Sequence, residues 1–427
     1  MENKDELRGK IDKLIDSYFE GEDEKFVPGK SKVSLQVPSY GSEEVKEVVD
    51  SLFSKFVTMG EKVRKFEGSF SGYLGSRYGT MTNSGSSANL IALSVLTEPS
   101  FKGRMMPGDE VITPGVTWIT TVTPIANVGL TPVITDVDMS TYDISVESIE
   151  AAITEKTRAI MPVHLLGDPA DMKRIMEIAE ERDLYVIEDS CEAHGAMIGD
   201  KKIGTFGDVG TFSFYLSHHI NTIEGGMVVT DNEDIHEMSR SMRVFGWIRD
   251  LKNRSEISQK YSDIDERFLF LNNGFNFRPT ELQAAFGLQQ IKKLDDFIDI
   301  RRETADYWNR ELGAYSDYLM LKKERPGTRN VWFSYPITVA PDAPFTKNEL
   351  VGFLEKNNVE TRPLMTGDVT IQPVMKNIRY RKSGDLKNTK FIHNNSFLIG
   401  CHQGISRDQR EYVVDVISKF IRSKVGK

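Results

Sequence analysis

Two cysteines in 427 residues, Cys191 and Cys401, are too few for a disulfide framework or for a metal or iron–sulfur site built from four thiolates. No stretch approaches the ~20 consecutive apolar residues of a membrane-spanning helix. The opening MENKDELRGK is charged and lacks the apolar core of a secretory signal. A basic excess is missing too. Lys and Arg number 54 against 63 Asp and Glu, a net charge of −9, whereas a dedicated nucleic-acid binder gathers positive charge. No internal repeat and no low-complexity tract is visible. The expectation is a soluble, cytoplasmic protein with no nucleic-acid or membrane partner. Its 39% hydrophobic and 27% charged residues are ordinary for a globular chain. Its length allows two to three domains at roughly 150 residues each.

Helical spacing predicts a helix over 5–19, with Leu7, Ile11, Leu14, Ile15, Tyr18 and Phe19 on one face. A connector over 21–32 follows, then a helix over 43–56 whose buried side carries Val45, Val48, Val49, Leu52, Phe53 and Phe56. From about residue 80 short apolar runs (110–113, 132–137, 159–165, 185–188, 209–214, 227–230) alternate with helical segments such as 87–96 and 171–182. That alternation predicts an α/β layer architecture with a mainly parallel sheet. The polar stretch 246–272 reads as a long surface excursion, functional or interfacial. Helices are expected at 279–295, 296–312, 347–356 and 409–421, and a strand at 330–339. The resulting division is an N-terminal helical extension over 1–40, a large α/β domain over 41–295 and a smaller C-terminal α+β domain over 296–427.

Some segments carry chemistry. In TNSGSSANL (82–90) a Gly-Ser-Ser turn opens an apolar helix, and its free amides and positive dipole end suit a phosphate; a Ser-rich helix cap has the same composition. In YVIEDSCEAHGA (185–196) a buried strand ends in Glu188, Asp189 and Glu192, where open α/β sheets bind ligands. Acids there can pair with a cationic ring nitrogen, or simply cap the next turn. In TFSFYLSHHINTIEGGMVVT (211–230), His218 and His219 follow a strand. No carboxylate stands at the spacing of a zinc helix motif, so no metal site is expected. A phosphate loop and a strand-end acid elsewhere in the sheet favour catalysis.

In chain order, NSGSSANL, PGVTWITTVTPI, PVHLLGDPADM, VIEDSCEAHGA, GTFGDVGTFSFY, EGGMVVT and GFNFRPTELQAAFGLQQI resemble the DegT-type sugar-nucleotide aminotransferases. The resemblance runs from about residue 55 to the C-terminus. It implies a fold-type I transferase that uses pyridoxal 5'-phosphate (PLP), with a lysine in an SFxxxK segment bonded to the cofactor. Here that segment reads SFYLSH, and His218 occupies the lysine position. This substitution is similar to a branch of the family, the NDP-4-keto-6-deoxyhexose 3-dehydratases, which act on GDP- or CDP-linked sugars. FYLSHHI, TRPLMTGD and GCHQ resemble the GDP type, while the N-terminal extension with FVPGKS resembles the CDP type. The CDP type holds an iron–sulfur cluster. Cys191 matches one ligand position, but the Cys-rich segment expected near 245–265 is absent, so no iron–sulfur cluster is expected.

Carried over residue by residue, the resemblance implies that Asp189 pairs with the pyridinium nitrogen and Trp118 stacks on the ring. It implies that Gly85, Ser86 and Ser213 hold the phosphate, that Glu192 lies beside the ring hydroxyl, and that Asn276 reaches the phosphate from the second subunit of a homodimer. An imidazole cannot hold PLP covalently as lysine does, yet its usual pKa lies near working pH. His218 is therefore the expected acid/base for removing the sugar's C3 hydroxyl, using the pyridoxamine form (PMP) regenerated by L-glutamate. His219 is expected to orient the loop. An ordinary aminotransferase with a relocated lysine is the alternative, although Lys201 and Lys202 lie ten or more residues away in a predicted turn. A non-catalytic binder is another.

Overall fold

In the computed structural model, which describes residues 3–21 and 25–426, the alternating runs pair into one eight-stranded sheet. Its order is Tyr78–Thr82, Gly226–Thr230, Val209–Ser213, Tyr185–Asp189, Thr157–Ile160, Glu110–Pro114, Thr131–Thr135 and Arg381–Lys382. Gly226–Thr230 is antiparallel to both neighbours, and every other pairing is parallel. Val186 and Ile187, adjacent in one strand, belong to different apolar clusters. Because side chains alternate across a strand, the sheet has a core on each face. This explains why its strands read as unbroken apolar runs. The α/β expectation holds.

A second, antiparallel sheet joins Leu319–Leu321, Tyr335–Val339, Ser396–Ile399 and Thr361–Pro363. With the helices Leu294–Leu312, Lys347–Lys356 and Arg407–Val425 it builds a separate core around Trp308, Trp332, Tyr335 and Phe397. Between Thr361–Pro363 and Ser396–Ile399 the chain returns to the large sheet. Arg381–Lys382 lies parallel to Thr131–Thr135 as its last strand, and Arg381 Nε and Nη2 donate to Glu110 at 2.9 and 2.8 Å.

Several expectations are corrected. The run 159–165 is a strand only to Ile160, since Pro162 has no amide to give the ladder; Leu165–Gly167 forms a 3-10 turn with Leu166 at φ 59. The strand expected from 330 begins at Tyr335, because the amides of Val331 and Phe333 are spent on the carbonyls of Gly167 and Leu166. Residue 295 falls inside the helix Leu294–Leu312. The helix Glu61–Leu74 and the strand Tyr78–Thr82 were not anticipated. The helices Lys4–Phe19 and Ser42–Ser54 form as expected, the first with a complete capping box at Asn3 and Glu6. Their apolar faces are not buried, however. Leu7, Leu14, Tyr18, Leu52, Phe53 and Phe56 are exposed, since helical periodicity specifies a face but not what covers it. Of the connector, Glu22–Glu24 lie outside the described residues.

Candidate active site

At the carboxyl ends of Tyr185–Asp189 and Val209–Ser213 opens a cavity of about 470 Å³. Gly85, Ser86, Trp118, Asp189, Glu192, Ser213 and His218 all line it. The far wall comes from the second core and includes Arg301, Phe333, Arg362 and His402. Asn276 is absent from this wall; it is exposed and accepts a hydrogen bond from Arg278 Nε at 3.0 Å.

Each part of the wall has a local cause. Ser84 caps the helix Gly85–Thr97 by accepting the Ser87 amide at 3.1 Å, so the cap and the anion site coexist: first-turn amides still lack intrahelical partners. A Cβ on Gly85 would stand 2.5 Å from Ser213 Cβ, and one on Gly226 2.2 Å from the Ser84 carbonyl. Only glycine lets this loop close over the strand ends with its backbone toward the cavity. Trp118 precedes the helix Ile119–Asn127 and keeps its indole 56% exposed at the wall.

Asp189 is buried, and its Oδ2 accepts from Asn89 Nδ2 at 2.9 Å and Thr121 Oγ1 at 2.8 Å. Neither support was singled out from the sequence. The available signal was an Asn inside the otherwise apolar helix SANLIAL. Glu188 points to the other face. Its carboxylate accepts the amides of Gly204, Phe206 and Gly207, and His164 Nε2 at 3.1 Å. His164 Nδ1 accepts the Ala170 amide, so the Nε2 proton is the one donated. Glu188 is a turn clamp. Glu192 accepts the Leu166 amide at 2.8 Å. Burial, reinforced by the charge of Asp189 and opposed by that amide, pushes its pKa up to about 8.

His218 lines the cavity with its ring 5.1 Å from Phe333. Its Nδ1 is buried without a partner. Burial, helped by the Arg301 charge, lowers its pKa to about 3. His219 points away and donates Nε2–H to the Val331 carbonyl at 2.8 Å. Arg301 was missed by the sequence reading. It is 2% exposed, and its Nη1 donates to the carbonyls of Trp332, Phe333 and Cys401. No lysine lines the cavity among the described residues; Lys201 and Lys202 sit in a short hairpin strand, over the rings of Phe206 and Tyr73.

The imidazoles set a pH dependence of stability. His194, His218, His219, His236 and His402 are all held below the usual 6.5, each first by burial. Below pH 6.5 the unfolded chain binds protons that the folded one refuses. Their contribution is thus present above 6.5 and lost as pH falls, at about 1.4 kcal/mol per pH unit for each group. Glu192, Asp143 and Asp208, raised by burial, act in the opposite direction. With five histidines against three acids, a net loss of stability is expected between pH 6.5 and 5.5. Urea midpoints at pH 6.5 and 5.5 check this, and equal midpoints would refute it.

A family model for DegT/DnrJ/EryC1/StrS aminotransferases matches residues 38–418. The chain belongs to this family. This DegT family member is 36% identical over 377 residues to the GDP-4-keto-6-deoxy-D-mannose 3-dehydratase of Escherichia coli O55:H7, covering 88% of this chain and 96% of that one. It is also 36% identical over 419 residues to the dTDP-4-dehydro-2,6-dideoxy-D-glucose 3-dehydratase of Saccharopolyspora spinosa, covering 95% and 90%. A crystal structure of a GDP-4-keto-6-deoxymannose-3-dehydratase, with a trapped PLP-glutamate geminal diamine, superposes with a TM-score of 0.85. That match is 34% identical and covers 90% of this chain and 99% of the other. The DegT family member is thus a PLP-dependent enzyme with the aminotransferase fold. Its cavity suits that cofactor chemically: a buried carboxylate at Asp189, a glycine-closed helix N-terminus at Gly85 and an open indole at Trp118. Among the described residues no helix is long and apolar enough to cross a membrane.

Proposed function

We propose that this enzyme is a PLP/PMP-dependent NDP-4-keto-6-deoxyhexose 3-dehydratase with L-glutamate as amino donor. Its product is a 4-keto-3,6-dideoxyhexose still attached to its nucleotide, for dideoxysugar biosynthesis of the O-antigen type. One observation carries the reading: the cavity presents His218, at the position of the family's lysine, and among the described residues no lysine.

The bound cofactor supplies an electron sink for carbanion chemistry at its C4′. Asp189 holds the proton on the ring nitrogen. Glu192, mostly protonated at neutral pH, donates its O–H toward the ring oxygen, as buried carboxylic acids kept neutral can. Gly85, Ser86 and Ser213 hold the phosphate, and Trp118 covers one ring face. His218 rests neutral. With Nδ1 buried, Nε2 is the nitrogen left to take the C4′ proton and deliver it to the departing C3 oxygen. A histidine with so low a pKa is a reluctant base but a strong acid once charged, so the second transfer is favoured.

The active unit is a homodimer in which Asn276 serves the neighbouring cavity. Exposure of Asn276, with Phe245, Phe268, Phe270 and Leu271 exposed in the same stretch, supports this. An active monomer in sedimentation would count against it. Turnover needs no iron–sulfur cluster and no reductase: Cys401 is buried in the second core, apart from the cavity that Cys191 lines. Stoichiometric iron after anaerobic purification would overturn that statement. The deciding assay incubates the protein with glutamate and, separately, GDP-, CDP- and dTDP-linked 4-keto-6-deoxyhexoses. The expected product has lost one oxygen without gaining nitrogen; a 4-amino product would establish an aminotransferase instead.

A further inference from the structure

Behind the cavity lies a buried set of ionisable side chains that the proposed chemistry does not use. Lys322 follows the strand Leu319–Leu321 and is 1% exposed. Its ammonium stands 3.3 Å from Asp168 Oδ2 and 3.3 Å from the Leu165 carbonyl, with the Tyr142 ring 5.4 Å away. Asp143 accepts the Leu165 amide at 3.2 Å and faces Arg325 Nη2 at 3.6 Å. Desolvation commonly cancels the attraction of buried ion pairs, so stability alone does not account for this one.

What these charges grip is the 165–167 turn. Leu166 sits there at φ 59, in a region that side-chain-bearing residues rarely adopt. In that conformation its amide donates to Glu192, and its carbonyl accepts the amide of Phe333, whose ring packs on His218. Around Glu192 the titratable groups are Asp189 on the preceding strand, Cys191 beside it and Lys322 across the turn.

We propose that Lys322 is a positioning residue for the cofactor site: with Asp143 and Asp168 it fixes the left-handed turn whose Leu166 amide aims the Glu192 carboxyl into the cavity. The proposal rests on the reading that Glu192 faces the cofactor ring. Lys322 acts through geometry, by its bond to the Leu165 carbonyl, and through charge, since it opposes the burial that protonates Glu192. Asp168 supports the same geometry with the opposite charge.

The test is the absorbance of bound PLP as a function of pH. Lys322→Met is expected to move its transition upward by about one pH unit and Asp168→Asn downward, because a nearby opposite charge favours ionisation of a carboxyl and a like charge disfavours it. Lys322→Arg restores the wild-type midpoint. A merely structural role would move both variants the same way or neither, and either result overturns the proposal. Should Lys322→Met fail to fold, Asp168→Asn and Lys322→Arg carry the test. Glu192→Gln is expected to abolish the transition. If it does not, the placement of Glu192 at the ring has failed, and the proposal with it; if it does while the other variants leave the midpoint unmoved, only the role of Lys322 has failed.

Discussion

His218→Asn is expected to lower dehydration roughly 10²–10⁴-fold, the usual share of a positioned acid/base, while the protein still binds its cofactor. Asn matches much of the imidazole's volume and cannot carry the proton from C4′ to the C3 oxygen. On the proposed reading, the cofactor is held by groups that the change does not touch, Asp189 and the Gly85 turn. His218→Lys is the complementary test. It should convert non-covalent PLP into a form that borohydride links to the peptide, and it should suppress dehydration. A borohydride-stable adduct in the wild-type protein, or full activity in His218→Asn, would remove His218 from the reaction.

Asp189→Asn is expected to slow conversion of the PLP form to the PMP form by glutamate by roughly two to four orders of magnitude. Asn can still accept from Asn89 and Thr121 through its one carbonyl oxygen, so the fold is spared. What is lost is the negative charge opposite the ring nitrogen. Breaking a buried charge pair costs about 3–5 kcal/mol, and each 1.36 kcal/mol is a factor of ten in rate. The half-reaction is followed by absorbance and needs no sugar, so it reports on Asp189 whichever nucleotide the enzyme takes. An unchanged rate would show that the ring nitrogen is not at Asp189.

The sequence was most informative where local pattern and global position coincide. The runs 110–113, 185–188 and 227–230 lie within strands, because apolar runs of that length fit a sheet covered on both faces. Gly85, Asp189, Glu192 and His218 share one cavity because strand ends and helix starts converge on one side of a parallel sheet. What stayed hidden depends on contacts between distant parts of the chain. Arg301 looks like an ordinary helix arginine until the carbonyls of Trp332, Phe333 and Cys401 are seen around it. The kink at Leu166 is invisible in HLLGD, since the partners that hold its left-handed turn, Val331, Phe333 and Lys322, lie far along the chain. Strand Thr361–Pro363 is too short and too polar for periodicity to register. Exposure of Leu52 and Phe53 was likewise illegible, because the pattern of a covered face and of an uncovered one is the same.

The final strand of the large sheet has a bearing on biosynthesis. The outer partner of Thr131–Thr135, Arg381–Lys382, is translated only after the long intervening stretch of chain. Until then the apolar segment TPVIT presents an open sheet edge, a template for pairing with other nascent chains. The Arg381–Glu110 bond must wait for the same segment, and it fastens that edge. The interval of greatest aggregation risk is therefore set by elongation time rather than by folding rate. A premature stop before Arg381 would leave the strand-end residues Asp189 and His218 present and their sheet unfinished.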